Sequence, residues 1–399
     1  MLNCWISLLI CASVSAISDD QTEVTYPSLE TLERGVKIMK IRAFGEDLEL
    51  KLEPAGDVIS DDFTVVDGEG NIQDNDATFL KKRLFRDEEK GSALYIKEMG
   101  SMEIDGMINS ELRIEPYKSQ EEGRNEFNAH LVTKILPEVR SFSDAVINVH
   151  LGGLLSERND TADECMEIEY LFMAESNFAV RFPNSVQLQA YLGTLFVQVQ
   201  ILMDRLNLNL KTRLIGTILY KDNPSFFQIS FIPGQDIIDA NNIMKNMTNF
   251  LCANEGNELI KRADVIILIT TNPIRVSYPF WSFINSRLLG VSNLGGACNL
   301  CKKFAVIRDS GRKLLTAYVI AHETAHLIGS PHDGVGQMFS LPGSPGSLEC
   351  PPFAGFIMGN NFGVTTSMFS QCSRENIKYF LSKNEASCIK GCNSNSTML

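Results

Sequence analysis

The chain has few histidines, no long apolar run and, over residues 17–164, no cysteine; only five histidines occur among its 399 residues. No segment reaches the roughly eighteen consecutive apolar residues of a transmembrane helix. Acidic residues outnumber basic ones, 49 against 36, so the net charge is −13. Because an acidic surface with no basic stripe repels phosphate backbones and anionic lipids, no nucleic-acid or membrane partner is expected.

The N-terminus has the pattern of a secretion signal. Its apolar run is too short to span a bilayer and ends in the small residues Val14, Ser15 and Ala16, before acidic sequence. The run lacks the usual lysine or arginine at its start. We nevertheless expect residues 1–16 to be a signal peptide and the protein to be secreted and extracellular.

Removal of the signal peptide would leave eight cysteines, and all of them lie from residue 165 onward. They are Cys165, Cys252, Cys298, Cys301, Cys350, Cys372, Cys388 and Cys392. An even number in an oxidising compartment predicts disulfides. Cys298 and Cys301 alone could form a redox motif or a zinc knuckle, but no second C-x-x-C accompanies them. Asn-x-Thr sequons, which the secretory context makes plausible glycosylation acceptors, begin at Asn159, Asn246 and Asn395.

The hydrophobic pattern changes near the middle of the chain. Residues 17–160 alternate apolar and polar side chains between frequent turns, which predicts a mostly β region. After a polar boundary at 155–165, strand and helix patterns alternate, which predicts an α/β sheet domain. The expected strands cover 166–176, 212–220, 265–271 and 303–309; the expected helices cover 186–206, which we expect to be amphipathic, and 242–253.

Three of the five histidines fall within eleven residues, in the run HETAHLIGSPH. A helix with its N-cap at Asp309 or Ser310 would place His322 and His326 four residues apart on one face, where both can bind one cation. His130 and His150 have no such spacing, and we expect them to be structural or surface residues.

The residues around this pair complete an open zinc site. A turn at Gly329, which tolerates a positive φ, would let His332 supply a third ligand. Glu323 lies beside the first histidine, where it can hold a water and act as general base. The pattern therefore predicts a zinc-dependent hydrolase.

The run from His322 to Asp333 resembles the extended zinc signature of the metzincins. An aspartate, Asp333, directly follows the third histidine, and in this the run resembles the signature of the reprolysin (adamalysin or ADAM-type, M12B) branch. Gly355-Phe-Ile-Met358-Gly is similar to the Met-turn of these enzymes, and 369–381 resembles the helix that ends their catalytic domains. The chain also resembles short tick salivary metalloproteases of this family.

This resemblance implies the organisation of the chain. The parts are a signal peptide (1–16), a mostly β propeptide (17–160), a metzincin catalytic domain with a mixed twisted sheet and a central zinc-binding helix (161–392), and a C-terminal tail (393–399). It implies a monomeric zinc endopeptidase of extracellular proteins, with fibrinogen or matrix proteins as the substrate class.

The resemblance also implies roles for single residues. His322, His326 and His332 would bind one catalytic Zn²⁺, with Glu323 as general base. Asp333 would anchor the fold, and Met358 would form the floor of the site. The disulfides expected with it are Cys350–Cys372, Cys165–Cys252, and Cys298 and Cys301 with Cys388 and Cys392 in either order.

Some features depart from the family pattern. Reprolysin propeptides often carry a zinc-binding cysteine, and residues 17–164 have none. We therefore expect the segment to lie across the cleft, held by contacts and not by a metal bond. Phe356 stands where many relatives have cysteine, and the region 277–289 shows no clear acidic calcium site, so calcium binding is left open.

Substrate is expected to add as an extended strand along residues 295–303, with residues 359–366 as the S1′ wall. Two alternatives remain beside the endopeptidase. A non-catalytic binding protein on the same scaffold would be free to lose Glu323. Another zinc hydrolase would share only H-E-x-x-H, and would not need Gly329, His332 or Met358.

Overall fold

The computed structural model of the protein describes residues 21–73, 77–117, 128–135, 143–148, 155–158, 165–277, 288–360 and 367–392. The expected signal peptide (1–16) and C-terminal tail (393–399), His150 and two of the sequons, Asn159 and Asn395, lie outside the described residues.

The N-terminal region is mostly β, as its alternating pattern predicts. Nine of its strands form one antiparallel sheet in the order β1-β10-β9-β8-β7-β6-β4-β3-β2. Its elements are β1 (Gln21–Thr25), β2 (Ser28–Thr31), β3 (Lys37–Ala43), β4 (Glu46–Pro54), β5 (Ile59–Asp67), α1 (Ala77–Lys81), β6 (Leu84–Asp87), β7 (Ser92–Lys97), β8 (Glu103–Met107), β9 (Leu112–Pro116), β10 (His130–Lys134) and β11 (Asp144–Asn148), with 3-10 turns at Glu33–Gly35 and Gly56–Val58.

The C-terminal region alternates strands and helices. Every strand and helix expected from its sequence is present, with ends shifted by a few residues. Its elements are β12 (Met166–Ala174), α2 (Ser176–Ala179), α3 (Ser185–Asp204), β13 (Leu210–Leu219), α4 (Ser225–Gln228), β14 (Ile238–Asp239), α5 (Ala240–Ala253), α6 (Glu258–Arg262), β15 (Val265–Thr270), β16 (Ile274–Arg275), β17 (Gly290–Leu294), β18 (Phe304–Arg308), α7 (Lys313–Leu327), α8 (Gln371–Leu381) and β19 (Lys390–Gly391), with a 3-10 turn at Asn384–Ala386.

The second sheet is mixed, and both of its edge strands come from the N-terminal region. Its order is β11-β17-β18-β15-β12-β13-β5, with β19 beside the start of β12. β17 and β18 run antiparallel, as do β12 and β19, whereas the other pairs are parallel. Helices α3 and α7 share one hydrophobic cluster with this sheet, and α5 belongs to the cluster on its other face. The fold thus places α7 against β17 and β18, in the middle of the molecule.

Helix α3 is buried nearly all round, so the prediction of an amphipathic helix is wrong. Every residue from Ala190 to Met203 is buried. A Cβ at Gly193 would lie 3.1 Å from Leu80 and 3.2 Å from Leu84, which shows how closely the N-terminal region covers this helix. Among the described helices, α3 alone is apolar and long enough to cross a membrane, but 83% of that window is buried inside the protein.

The two regions share one core. Ile59, Phe63 and Tyr95 belong to the same hydrophobic cluster as the residues of α3 and α7. Charged contacts also join the two regions: Arg262 lies 2.5 Å from Asp62 of β5, and the buried Lys313 pairs with Asp105 of β8. The boundary at 155–165 therefore divides the sequence but not the hydrophobic core.

Four disulfides hold the C-terminal region: Cys165–Cys392, Cys252–Cys301, Cys298–Cys388 and Cys350–Cys372. The predictions for Cys350–Cys372 and for Cys298 with Cys388 are confirmed. The predicted Cys165–Cys252 pair is wrong, because β19 pairs with the start of β12 and so brings Cys392 to Cys165. Cys301 pairs with Cys252 and not with a C-terminal cysteine.

Helix α7 begins later than its sequence predicts. Its N-cap is Arg312, with no side-chain hydrogen bond, so the expected cap at Asp309 or Ser310 is wrong. The Asp309 carboxylate instead accepts hydrogen bonds from the Tyr191 hydroxyl, at 2.6 Å, and from the Gly311 amide. Asp309 thus joins the start of α7 to α3.

His130 is structural, as expected. Its side chain is buried; Nε2 accepts a hydrogen bond from the Ile104 amide, and Nδ1 donates to the Asn128 carbonyl. Burial lowers the pKa of His130. A neutral ring therefore links β8 and β10.

We expect the stability of the protein to respond to pH through Asp204, at the end of α3. Burial raises the pKa of Asp204 to about 6. The folded chain then holds a proton that the unfolded chain releases near pH 4, so stability falls as pH rises from about 4 to about 6. Asp204→Asn should raise the Tm at pH 7.5 by a few degrees and change it little at pH 3.5, as measured by calorimetry. Equal shifts at both pH values, or the same shifts in the exposed control Asp236→Asn, would contradict this.

Candidate active site

The end of α7 is a turn that returns the chain towards the helix. The Gly329 amide donates to the His326 carbonyl and the Ser330 amide to the Ala325 carbonyl, the pair of bonds that defines a Schellman motif. Gly329 has φ +99°, as this motif requires. The reversal brings His332 back beside the last turn of the helix.

Three imidazoles converge at this point. The Nε2 atoms of His322 and His326 are 3.1 Å apart, those of His326 and His332 are 3.1 Å apart, and those of His332 and His322 are 3.3 Å apart. The side chains of His322 and His326 are fully buried, and that of His332 is 25% exposed. The structure therefore brings together the three histidines that the sequence singles out.

Backbone carbonyls fix the tautomers of two of these rings. Nδ1 of His322 donates to the Ile357 carbonyl and Nδ1 of His326 donates to the Ser330 carbonyl, each at 2.7 Å. With the proton on Nδ1, Nε2 carries a lone pair. Burial, followed by the nearby His332, lowers the pKa of His326 to about 3, so this ring stays neutral.

Glu323 lies beside the three rings and is fully buried. Its Oε2 accepts a hydrogen bond from the Ser292 hydroxyl at 2.5 Å, while Oε1 has no partner among the described residues. Burial, followed by the charge of Asp144, raises the pKa of Glu323 well above its usual range. A Cβ at Gly290 would stand 2.2 Å from Oε1, so any larger residue there would push the carboxylate out of this position.

Asp333 and Met358 support the site from behind. The Asp333 carboxylate accepts a hydrogen bond from the Ser370 hydroxyl at 2.6 Å, and its amide donates to the Met358 carbonyl at 2.9 Å. Met358 is fully buried in the same core as α7. These bonds tie the segment after the third histidine to the turn whose Ile357 carbonyl orients His322.

A fourth side chain enters the site from the N-terminal region. The Oδ2 atom of Asp144, the first residue of β11, lies 3.4, 3.3 and 3.1 Å from Nε2 of His322, His326 and His332 respectively. Only 6% of this side chain is exposed. Sequence reasoning missed Asp144, since nothing in its neighbourhood along the chain marks a ligand.

The strand nearest the site in the C-terminal region is β17 (290–294), which β11 covers on its outer side and which precedes the stretch 295–303 predicted to receive substrate. That placement is corrected: Gly295–Lys303 form the connection to β18, and its Gly295 and Ala297 amides donate to the end of α7. Sequence reasoning also missed Gly290 and Ser292 on this strand. Most of the expected S1′ wall (361–366) and of the region considered for calcium (278–287) lies outside the described residues.

The donor set fits a zinc ion. The facing lone pairs would repel one another unless a cation lay between them, and neutral imidazole nitrogen is a common zinc ligand. Nitrogen atoms 3.1–3.3 Å apart suit a metal about 2 Å from each. The residues that could hold zinc are thus His322, His326 and His332.

Comparison with known proteins agrees with this chemistry. The model of the reprolysin (M12B) family of zinc metalloproteases matches residues 240–392. Venom metalloproteinase antarease TserMP_A from Tityus serrulatus is 35% identical over 396 residues, which is 98% of each chain. Venom metalloproteinase BumaMPs1 from Olivierus martensii is 36% identical over 391 residues, which is 96% of each chain.

Among solved structures, metalloproteinase-II from Bacteroides fragilis matches 86% of this chain and 90% of its own. It is 11% identical, with a TM-score of 0.42, which is too low to inform on the fold.

Proposed function

Because the chain belongs to the reprolysin (M12B) family of zinc metalloproteases and is a zinc metalloendopeptidase, we propose that it is secreted and cleaves extracellular proteins. His322, His326 and His332 hold the catalytic zinc, and Glu323 is the general base. The observation that supports this most directly is the convergence of three Nε2 atoms beside a buried carboxylate.

When bound by these residues, zinc supplies a Lewis acid for the attacking water and the scissile carbonyl. Glu323 takes the proton of that water and passes it to the leaving amine. Ser292 holds one oxygen of the carboxylate, which leaves the other oxygen to face the reactants. The carbonyls of Ile357 and Ser330 keep two histidines in the tautomer that binds metal.

In the processed enzyme, from which the N-terminal region with β11 has been removed, strand β17 receives the substrate. Pairing along an edge strand uses backbone hydrogen bonds, which any extended peptide can make, and leaves selectivity to side-chain pockets. Fibrinogen and matrix proteins are the substrates to test first. Glu323 and all three histidines are present, whereas a non-catalytic binding protein would be free to lose them, so the site gives no support to such a role.

The chain is made as a precursor in this proposal. Residues 1–16 direct secretion, residues 17–160 form the propeptide, and residues 161–392 form the catalytic domain. A propeptide that supplies both edge strands of the catalytic sheet accounts for the core that the two regions share. The four disulfides suit an oxidising compartment.

Metal removal tests the proposal. The processed enzyme should contain one zinc per chain by mass spectrometry, and a chelator such as 1,10-phenanthroline should abolish cleavage of fibrinogen or a matrix protein. Added Zn²⁺ should restore it, because the three histidines remain in place. Cleavage that persists in metal-free protein would contradict the mechanism. N-terminal sequencing of the secreted precursor checks the signal peptide, and a start other than residue 17 would place the signal cleavage elsewhere.

A further inference from the structure

Strand β11 lies where a substrate strand is expected. It pairs with β17 over its whole length, from Asp144 opposite Gly290 to Asn148 opposite Leu294. β17 would otherwise be the edge strand next to the proposed zinc site. While β11 is in place, no peptide can add to this edge.

The Asp144 carboxylate stands at the fourth corner of the site. The six distances among its Oδ2 and the three histidine Nε2 atoms all lie between 3.1 and 3.4 Å. A tetrahedron with edges of about 3.2 Å has its centre about 2.0 Å from each corner, which is the distance at which zinc binds imidazole nitrogen and carboxylate oxygen. Four-coordinate tetrahedral geometry is also the one zinc prefers in closed sites.

The burial of Asp144 requires a positive partner. Its side chain is 6% exposed, and its ion pairs within the described part of the chain are all to the three histidines. Two of those rings carry their proton on Nδ1 and cannot donate from Nε2. A buried carboxylate without a counter-charge is costly, and a divalent cation at the centre would supply that charge.

We propose that Asp144 is the fourth ligand of the catalytic zinc in the uncleaved chain, and that β11 thereby keeps the enzyme latent. This inference rests on the function proposed above. Asp144 fills the position that the attacking water needs, while β11 covers the strand that the substrate needs. The group of β11 that faces the histidines is thus a side-chain carboxylate, which the enzyme cannot hydrolyse.

This latch replaces the one expected from sequence. Occlusion was predicted without a metal bond, because residues 17–164 have no cysteine. The eight cysteines of the C-terminal region are all paired in disulfides, so none of them supplies a thiolate. A carboxylate fills the same role with a different ligand atom.

The test uses the full-length chain in a Glu323→Gln background, which removes the general base and so prevents self-cleavage. Cobalt(II) replaces zinc, and its visible absorption reports the ligands. Asp144→Asn keeps the size of the side chain and removes the anionic ligand. We expect a changed cobalt spectrum and about tenfold faster loss of metal to a chelator.

A matched control separates metal binding from docking of the N-terminal region. Asp62→Asn removes another carboxylate of that region, which lies on the opposite edge strand β5 and pairs with Arg262 of α6. It should leave the cobalt spectrum unchanged. An unchanged spectrum and metal-loss rate in Asp144→Asn, with one metal bound per chain, would overturn the latch and leave the histidine site intact. A parent chain that binds no cobalt would overturn the proposed function itself.

A second variant does not depend on Asp144→Asn folding well. Asp144→Cys places a thiolate, which is a good zinc and cobalt ligand, at the same position. We expect a sulfur-to-cobalt absorption band and slow metal loss that an organomercurial accelerates about tenfold or more; the parent chain should not respond to the mercurial. Absence of the sulfur band in a chain that still binds one cobalt would overturn the proposal.

Discussion

Glu323→Gln lowers the turnover of the processed enzyme by at least about a hundredfold, if Glu323 is the general base. Glutamine has nearly the same shape and can still accept the Ser292 hydrogen bond, so the fold and the three histidines are undisturbed. It cannot take a proton from water. The measurements are kcat on a peptide substrate, zinc content and the thermal melt of the processed protein.

Ser292→Ala is the matched control for this variant. It removes the hydroxyl that holds Glu323 but keeps the carboxylate, so the loss of kcat should be clearly smaller than in Glu323→Gln. Both proteins should retain one zinc per chain. Turnover near the parent level in Glu323→Gln would show that another group transfers the proton.

Gly329→Ala should both destabilise the protein and weaken zinc binding. Gly329 has φ +99°, which costs a residue with a Cβ about 1–2 kcal/mol. The added Cβ would also stand 2.6 Å from the Phe380 Cβ, an overlap that typically costs about 1–3 kcal/mol more. Relief of that overlap moves the turn that carries His332. We expect a loss of about 2–5 kcal/mol in urea unfolding, together with zinc below one per chain.

Gly234→Ala separates the two costs. Gly234 also has a positive φ, at +73°, but a Cβ there would meet nothing within 4 Å. Its variant should lose only about 1–2 kcal/mol and keep its zinc. Equal losses of unfolding free energy in the two variants would mean that the contact with Phe380 does not matter. One zinc per chain in Gly329→Ala would mean that the turn does not position His332.

Local features of the site were predictable from the sequence. The spacing of His322 and His326 follows from the period of a helix, and the reversal at Gly329 follows from the backbone freedom of glycine. Both depend on residues within one short segment. The longer strands and helices of the C-terminal region were predictable for the same reason, since their hydrophobic patterns are continuous in sequence, whereas short elements such as β17 and β19 were not predicted.

Contacts between distant parts of the chain were not predictable. The pairing of β11 with β17 joins Asp144 to Gly290, and no local pattern encodes a parallel pairing over such a separation. The partner of Cys165 was not predictable either, because it depends on the pairing of β12 with the short and distant strand β19, which brings Cys392 to Cys165. The complete burial of α3 depends on the N-terminal region, which covers the helix face that the sequence alone would leave in solvent.

The disulfides have a further consequence for how the N-terminal region would dissociate from a cleaved precursor. All four join cysteines within residues 165–392, and residues 17–164 have none, so no covalent bond other than the main chain ties the proposed propeptide to the rest of the chain. Before cleavage, the proposed propeptide would act at the high effective concentration of a tethered ligand. After one cut at the boundary it becomes a separate inhibitor that obeys mass action. At high protein concentration the cut propeptide would then stay bound and the enzyme would remain inactive. Dilution alone would dissociate the two and release active enzyme.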